Sequence, residues 1–175
     1  ILDIGSNDGT FLNEFSKNKG LYGIDPSAEK FKKYYNKKIN IIFDYFSKKN
    51  VEKFTKKKIY FDVISSFAMF YDVRDPNTFC SDIEKLLTKD GVWILELSYL
   101  PLFLKNLSYD QICHEHVAYY SLTVFKKIIE KNGLKIIDFT LNEINGGSIE
   151  IICSKKNSKY KEKKSKIKNI LKDEK

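Results

Sequence analysis

The sequence predicts an α/β domain built on a doubly wound, mostly parallel sheet that ends in an antiparallel β-hairpin. Three observations carry that prediction. Short apolar runs alternate with amphipathic stretches from Ile1 to Leu97. The first run ends in a turn bearing two glycines, Asp3-Ile4-Gly5-Ser6-Asn7-Asp8-Gly9. Near the other end, Leu134 to Leu141 and Ser148 to Cys153 are β-rich with only a loop between them, so they must pair antiparallel.

The chain has 175 residues and is 42% hydrophobic, one domain's worth of sequence with enough apolar matter for a core. No apolar run approaches the ~20 residues needed to span a bilayer. Cys80, Cys113 and Cys153 are odd in number and far apart, which argues against a disulfide framework and against a zinc site, so no metal is expected. A cytoplasmic setting fits those thiols. The net charge of +8 is concentrated in the last stretch: Lys155 to Lys175 carries +7, and the rest is almost neutral. A nucleic-acid footprint needs a basic face on the fold itself, so residues 156–175 are read as a solvated, partly helical tail behind a core of residues 1–155.

In order, Ile1 to Ile4 reads as a strand, and Phe11, Leu12 and Phe15 share a helical face with Asp8 at the cap position. Gly5 and Gly9 allow a tight turn and leave bare backbone for a ligand. The spacing, D-x-G-x-x-x-G, departs from the G-x-G-x-x-G that cradles a dinucleotide pyrophosphate. A carboxylate at Asp3 suits a ligand with a positive amino group better than a diphosphate. Leu21 to Ile24 is a second strand ending in Asp25, placed either to accept ribose hydroxyls or to stand beside a cap at Ser27. Ala28 to Lys38 is helical, Ile39 to Phe43 is a third strand, and Asp44 and Phe46 follow it; Phe46 could stack on a base or bury itself. Val51 to Lys58 is a helix, and Tyr60 to Ser66 is a central strand. Ligands of open α/β sheets bind beyond such carboxyl ends, which singles out Ser66 and the stretch Phe67 to Asp72. Asp75 caps a helix with Pro76 in its first turn, Lys89-Asp90-Gly91 is a turn, and Val92 to Leu97 is the fifth strand.

The opening motif, D-x-G-x-x-x-G, resembles the first motif of class I S-adenosylmethionine-dependent methyltransferases. The closing hairpin suits their Rossmann-like fold, where a dehydrogenase would continue with helices. The resemblance implies S-adenosylmethionine as cofactor. Asp3, Gly5, Asn7 and Gly9 would hold its methionine end, Asp25 its ribose and Asp44 its adenine amino group, with Ser66 lining the same site.

The segment Tyr109-Asp110-Gln111-Ile112-Cys113-His114-Glu115-His116-Val117-Ala118-Tyr119-Tyr120-Ser121 holds both histidines of the chain. Imidazole exchanges protons near neutral pH, so a general base is expected here, with a loop satisfied by backbone as the plainer reading. The H-E-x-x-H spacing of a zinc helix is absent. This segment, with the later Asn145-Gly146-Gly147-Ser148, is similar to the sugar C-methyltransferase family, and the similarity runs from Ile1 to about Lys155. It implies methylation at carbon of a nucleotide-linked keto-deoxysugar, within deoxysugar biosynthesis. His116 would be the base and Glu115 its partner, with His114 a further catalytic residue. Tyr71, Tyr109, Asn145 and Gly146 would contact the substrate, and Tyr71, Tyr109 or His114 would donate to the enolate oxygen. Many members have tyrosine where this chain has Cys113. They also carry a cysteine-rich N-terminal zinc domain and a C-terminal domain, so a chain that starts inside its first strand is expected to be a fragment. The rival expectations are an O- or N-methyltransferase of another small metabolite and a non-catalytic cofactor-binding module.

Overall fold

The computed structural model describes residues 1–15, 17–18 and 20–175. Its strands are β1 (Leu2–Ile4), β2 (Tyr22–Ile24), β3 (Asn40–Ile42), β4 (Phe61–Phe67), β5 (Leu87–Ser98), β6 (Leu134–Asn142) and β7 (Ser148–Lys155). They form one seven-stranded sheet in the order β3-β2-β1-β4-β5-β7-β6. The first five are parallel, and β7 runs antiparallel between β5 and β6. The α/β sheet with a closing hairpin is therefore as expected. The helices are α1 (Thr10–Glu14), α2 (Ala28–Phe31), α3 (Lys48–Lys56), α4 (Pro76–Leu86), α5 (Leu100–Lys105), α6 (Leu122–Lys131) and α7 (Lys164–Asp173).

The core follows from the alternation in β4, β5 and β7. Trp93 is fully buried among Phe70, Phe79 and Phe125, with ring centroids 5.8, 6.0 and 5.9 Å away. Each large aromatic ring buried there contributes about 1.5–3 kcal/mol. A second, smaller cluster of Leu12, Leu21, Ala28, Tyr35 and Ile39 lies under α1 and α2.

Several local expectations change. The supposed Lys89-Asp90-Gly91 turn lies inside β5, which starts directly after α4. A Cβ at Gly91 would come 2.8 Å from the Phe61 carbonyl oxygen, so this glycine serves close strand approach at a register shift. Gly9, not Asp8, occupies the cap position of α1, and Asp8 instead accepts from the Thr10 N–H at 3.0 Å. Asp75 does cap α4, accepting from Asn77 and Thr78. The lysine-rich tail is helical but not simply solvated. Ile167 and Ile170 of α7 are buried in the main core, and Asp138 of β6 pairs with Lys163 and Lys166. Among the described residues, no helix is long and apolar enough to cross a membrane.

Candidate active site

A cavity of about 480 Å³ opens at the carboxyl ends of the parallel strands, within the usual size for a small-molecule site. Gly5 and Ile4 from β1, Asp25 after β2, Phe46 after β3, and Met69 and Asp72 after β4 line it. Gly5 has φ +77°, and a Cβ there would lie 3.4 Å from the Met69 side chain. Only a glycine turns the chain here without strain. Asp25 accepts from the backbone of Asn7 at 2.9 Å and from the Ser27 N–H and hydroxyl at 2.6 Å. Two carboxylate oxygens offer about four lone-pair sites, so Asp25 keeps acceptor capacity toward the cavity. Phe46 turns an edge to Phe79, with centroids 5.1 Å apart, and forms an apolar wall.

Of the residues expected to hold a cofactor, Gly5 and Asp25 line this cavity, and Asn7 joins them through its backbone bond to Asp25. The others are placed differently. Gly9 faces Tyr35, whose ring would lie 2.6 Å from an added Cβ, so its bare side is already filled. Asp44 accepts from Asn50 at 3.0 Å and anchors the start of α3 outside the cavity. Ser66 is fully buried and accepts from the Trp93 indole at 2.9 Å, because its strand position faces the core. Asp3 lies in the middle of the sheet and accepts from Ser65 at 2.7 Å. Burial pushes its carboxyl up to about 7, the Ser65 hydrogen bond opposes this, and Asp25 adds to it.

The histidine segment crosses the sheet's carboxyl end, where Val117 and Ala118 donate to the Tyr71 carbonyl at 3.0 and 3.2 Å. The His116 ring packs against the Tyr71 ring at a tilt of 49°, with centroids 4.1 Å apart. Its Nδ1 is 2.8 Å from the Gln111 carbonyl oxygen. A carbonyl only accepts, so Nδ1 carries the proton and Nε2 is left with the lone pair. Asp72 borders both the cavity and this histidine. Partial burial raises its carboxyl, His116 draws it down and Glu115 pushes it up. Burial, with Asp72, Cys113 and Glu96 nearby, pushes the Tyr71 phenol up to about 12, so it stays protonated and can donate.

The two neighbours of His116 do not join it. The His114 side chain is 92% exposed and that of Glu115 71%, with 3.8 Å between them. The backbone is irregular from Ile112 to Tyr119, so adjacent side chains diverge and His116 alone is held. Tyr109 is likewise exposed. Asn145 is exposed at φ +51°, while Gly146 packs on Ser108, whose Oγ would stand 2.2 Å from an added Cβ. The Gly146 carbonyl accepts from Asn106 at 2.8 Å and Ser108 at 3.1 Å, so this loop braces the turn leading to the histidines. Gln111 and Tyr35 matter to the site without having been singled out, because both contacts are tertiary. Asp72 belongs to the stretch expected after the central strand, and it lines the cavity.

Residues 1–138 match the family model described as "Methyltransferase domain". The C-methyltransferase NovU of Streptomyces niveus is 26% identical over 155 residues, covering 88% of this chain and 37% of that protein. The chain thus spans little more than a third of that relative's length. Among solved structures, the plantazolicin methyltransferase BpumL, in complex with a triazolic desmethylPZN analog and SAH, superposes with TM-score 0.64 at 16% identity. The match covers 88% of this chain and 75% of that one. Magnesium protoporphyrin IX methyltransferase from Synechocystis PCC 6803, with bound SAH, gives 0.62 at 14% identity, over 88% and 73% of the two chains.

Proposed function

The chain belongs to the methyltransferase-domain family, and from that premise we propose that it methylates a carbon of a nucleotide-linked keto-deoxysugar, using S-adenosylmethionine and a base-generated enolate. Support for the cofactor comes from the cavity and its donor set. Gly5 leaves room at the first turn, Asp25 offers its remaining acceptor site to a ribose hydroxyl, and Phe46 supplies an apolar wall for a base. Asp3 lies behind that turn, where a ligand's ammonium would favour its ionised form. When bound, S-adenosylmethionine supplies an electrophilic methyl group.

The observation that carries the carbon-directed reading is His116, ordered through Nδ1 with Nε2 free, beside Asp72 of the cavity wall. A carbon next to a carbonyl becomes nucleophilic only once it loses a proton, and Nε2 is the group placed to take it. The proton would then reside on Nε2, with the Gln111 carbonyl and the Asp72 carboxylate beside the imidazolium, and the enolate carbon would take up the methyl group as its bond to sulfur breaks and S-adenosylhomocysteine leaves. The protonated Tyr71 hydroxyl donates to the enolate oxygen. Glu115, His114, Tyr109 and Asn145 are exposed, so a substrate could reach them from solvent.

The test supplies S-adenosylmethionine and a keto-deoxysugar nucleotide in deuterated water and compares the protein with His116→Gln. Deuterium entry at the α-carbon together with methyl transfer, both lost in the variant, is the expected result. Methyl transfer that survives the substitution removes His116 from this role and favours a more acidic oxygen or nitrogen acceptor.

A further inference from the structure

We infer that Gln111 is the positioning residue that fixes the tautomer of His116, acting from both ends of its own structure. Its carbonyl oxygen receives two donors, the His116 Nδ1–H at 2.8 Å and the Tyr119 hydroxyl at 3.0 Å. Its side-chain oxygen accepts from the Ser98 hydroxyl at 2.9 Å, at the very end of β5. Its side-chain nitrogen donates to Asp110 at 3.0 Å within the same turn. One residue therefore joins the last position of a central strand to the imidazole.

The physical need for such a tie lies in the backbone. From Ile112 to Tyr119 the chain is irregular, and its backbone is tied to the rest of the fold through the Tyr71 carbonyl, which accepts from Val117 and Ala118, rather than through a ladder. A free imidazole in water divides between two tautomers, and one of them has its lone pair on Nδ1, facing the Gln111 carbonyl oxygen. A carbonyl aimed at Nδ1 penalises that form, because two acceptors would then face each other. The aim of the carbonyl depends on the short turn Tyr109–Gln111, and the Ser98 bond pins that turn to the sheet. Tyr71 packs against the imidazole at a tilt of 49°, and the contact at Nδ1 sets the torsion of the ring about its Cβ–Cγ bond.

This rests on the role proposed for His116, but it is read out without turnover. The chain has two histidines, and the exposed His114 serves as an internal reference. In ¹⁵N-labelled protein near pH 8, His116 is expected to show one protonated and one unprotonated ring nitrogen, while His114 shows averaged values. Gln111→Ala should bring His116 to averaged values, and Gln111→Glu, which keeps the acceptor for Ser98, should restore the fixed form. Ser98→Ala cuts the same tie from the sheet side and carries the test if Gln111→Ala does not fold. An averaged His116 in the unaltered protein, or a fixed one in both Gln111→Ala and Ser98→Ala, overturns the inference. Methyl transfer by His116→Gln would overturn the proposed chemistry while leaving this tautomer result intact, so the two failures are distinguishable.

Discussion

Glu174 caps a helix more than fifty residues away in sequence: its carboxylate accepts from the backbone of Leu122 at 2.7 Å and of Thr123 at 2.8 Å. The same group accepts from the Tyr99 hydroxyl at 2.5 Å, beside the bridge that joins Tyr99 to Tyr120. Partial burial alone would raise this carboxyl, yet the hydrogen bonds from Thr123, Tyr99 and Leu122 hold it below its ordinary range. A depressed folded value means stability that is present above the unfolded value of 4.5 and lost as pH falls through the folded one. Glu174→Ala should cost about 1–2 kcal/mol at pH 7, in the range of a lost N-cap. The difference from the unaltered protein should shrink toward pH 3 in urea titrations, and an unchanged difference would remove the ionised cap as its cause.

Asp3 works with the opposite sign. Its folded carboxyl holds its proton up to about 7 against 3.8 for a free aspartate carboxyl, so the folded state binds more protons across that window. Stability therefore falls as pH rises from about 4 to about 7, by up to roughly 4 kcal/mol if the whole shift is realised. Asp3→Asn removes the titration and keeps an acceptor for Ser65. The variant should match the unaltered protein near pH 4 and exceed it at pH 8, as read from urea midpoints.

Gly146→Ala combines a left-handed φ of +77° with a Cβ placed 2.2 Å from the Ser108 oxygen. A loss of about 2 kcal/mol or more is expected from strain and overlap together. Ser108→Gly in the same chain should recover the overlap part but not the conformational part. Full additivity in that double-mutant cycle would show that the two residues do not meet.

Asp25→Ala should weaken S-adenosylhomocysteine binding by about tenfold or more, since hydrogen bonds to a charged group contribute about 1.5–3 kcal/mol. Asp44→Ala, which the structure ties to Asn50 instead, should leave that affinity within about twofold while lowering stability. Titration calorimetry of both variants decides which acidic residue faces the ligand.

His116→Gln should lower kcat for the keto-deoxysugar by about 10²–10⁴-fold, the usual size of a general-base contribution, with S-adenosylhomocysteine affinity unchanged. Glu115→Gln, exposed and apart from the ring, should cost far less. Equal losses in the two variants would mean that substrate binding draws Glu115 to the imidazole.

Much of the fold was legible because its signals are local. Alternating apolar runs marked the strands, and Asp75 before Pro76 marked the start of α4. The five residues between β6 and β7, with no crossover helix, required the antiparallel hairpin. The site was legible in outline: Gly5 and Asp25 line the cavity, and His116 lies beside Asp72 of its wall. Errors arose where one residue type serves two physical ends. Gly91 looks like a turn and is a close approach, Ser66 and Asp44 look like ligand contacts and satisfy Trp93 and Asn50, and a lysine-rich tail hides Ile167 and Ile170.

By itself, then, the sequence determined the order of elements, the direction of the last two strands and the segment holding the histidines, because periodicity, turn chemistry and spacing act over a few residues. Only the tertiary structure decided which of those polar groups face the cavity. Asp72, Tyr71 and Gln111 meet His116 from two separate turns, and Ser98 at the end of β5 holds Gln111. A strand rotated by one residue, or a turn pinned elsewhere, would keep the same motif and present a different atom.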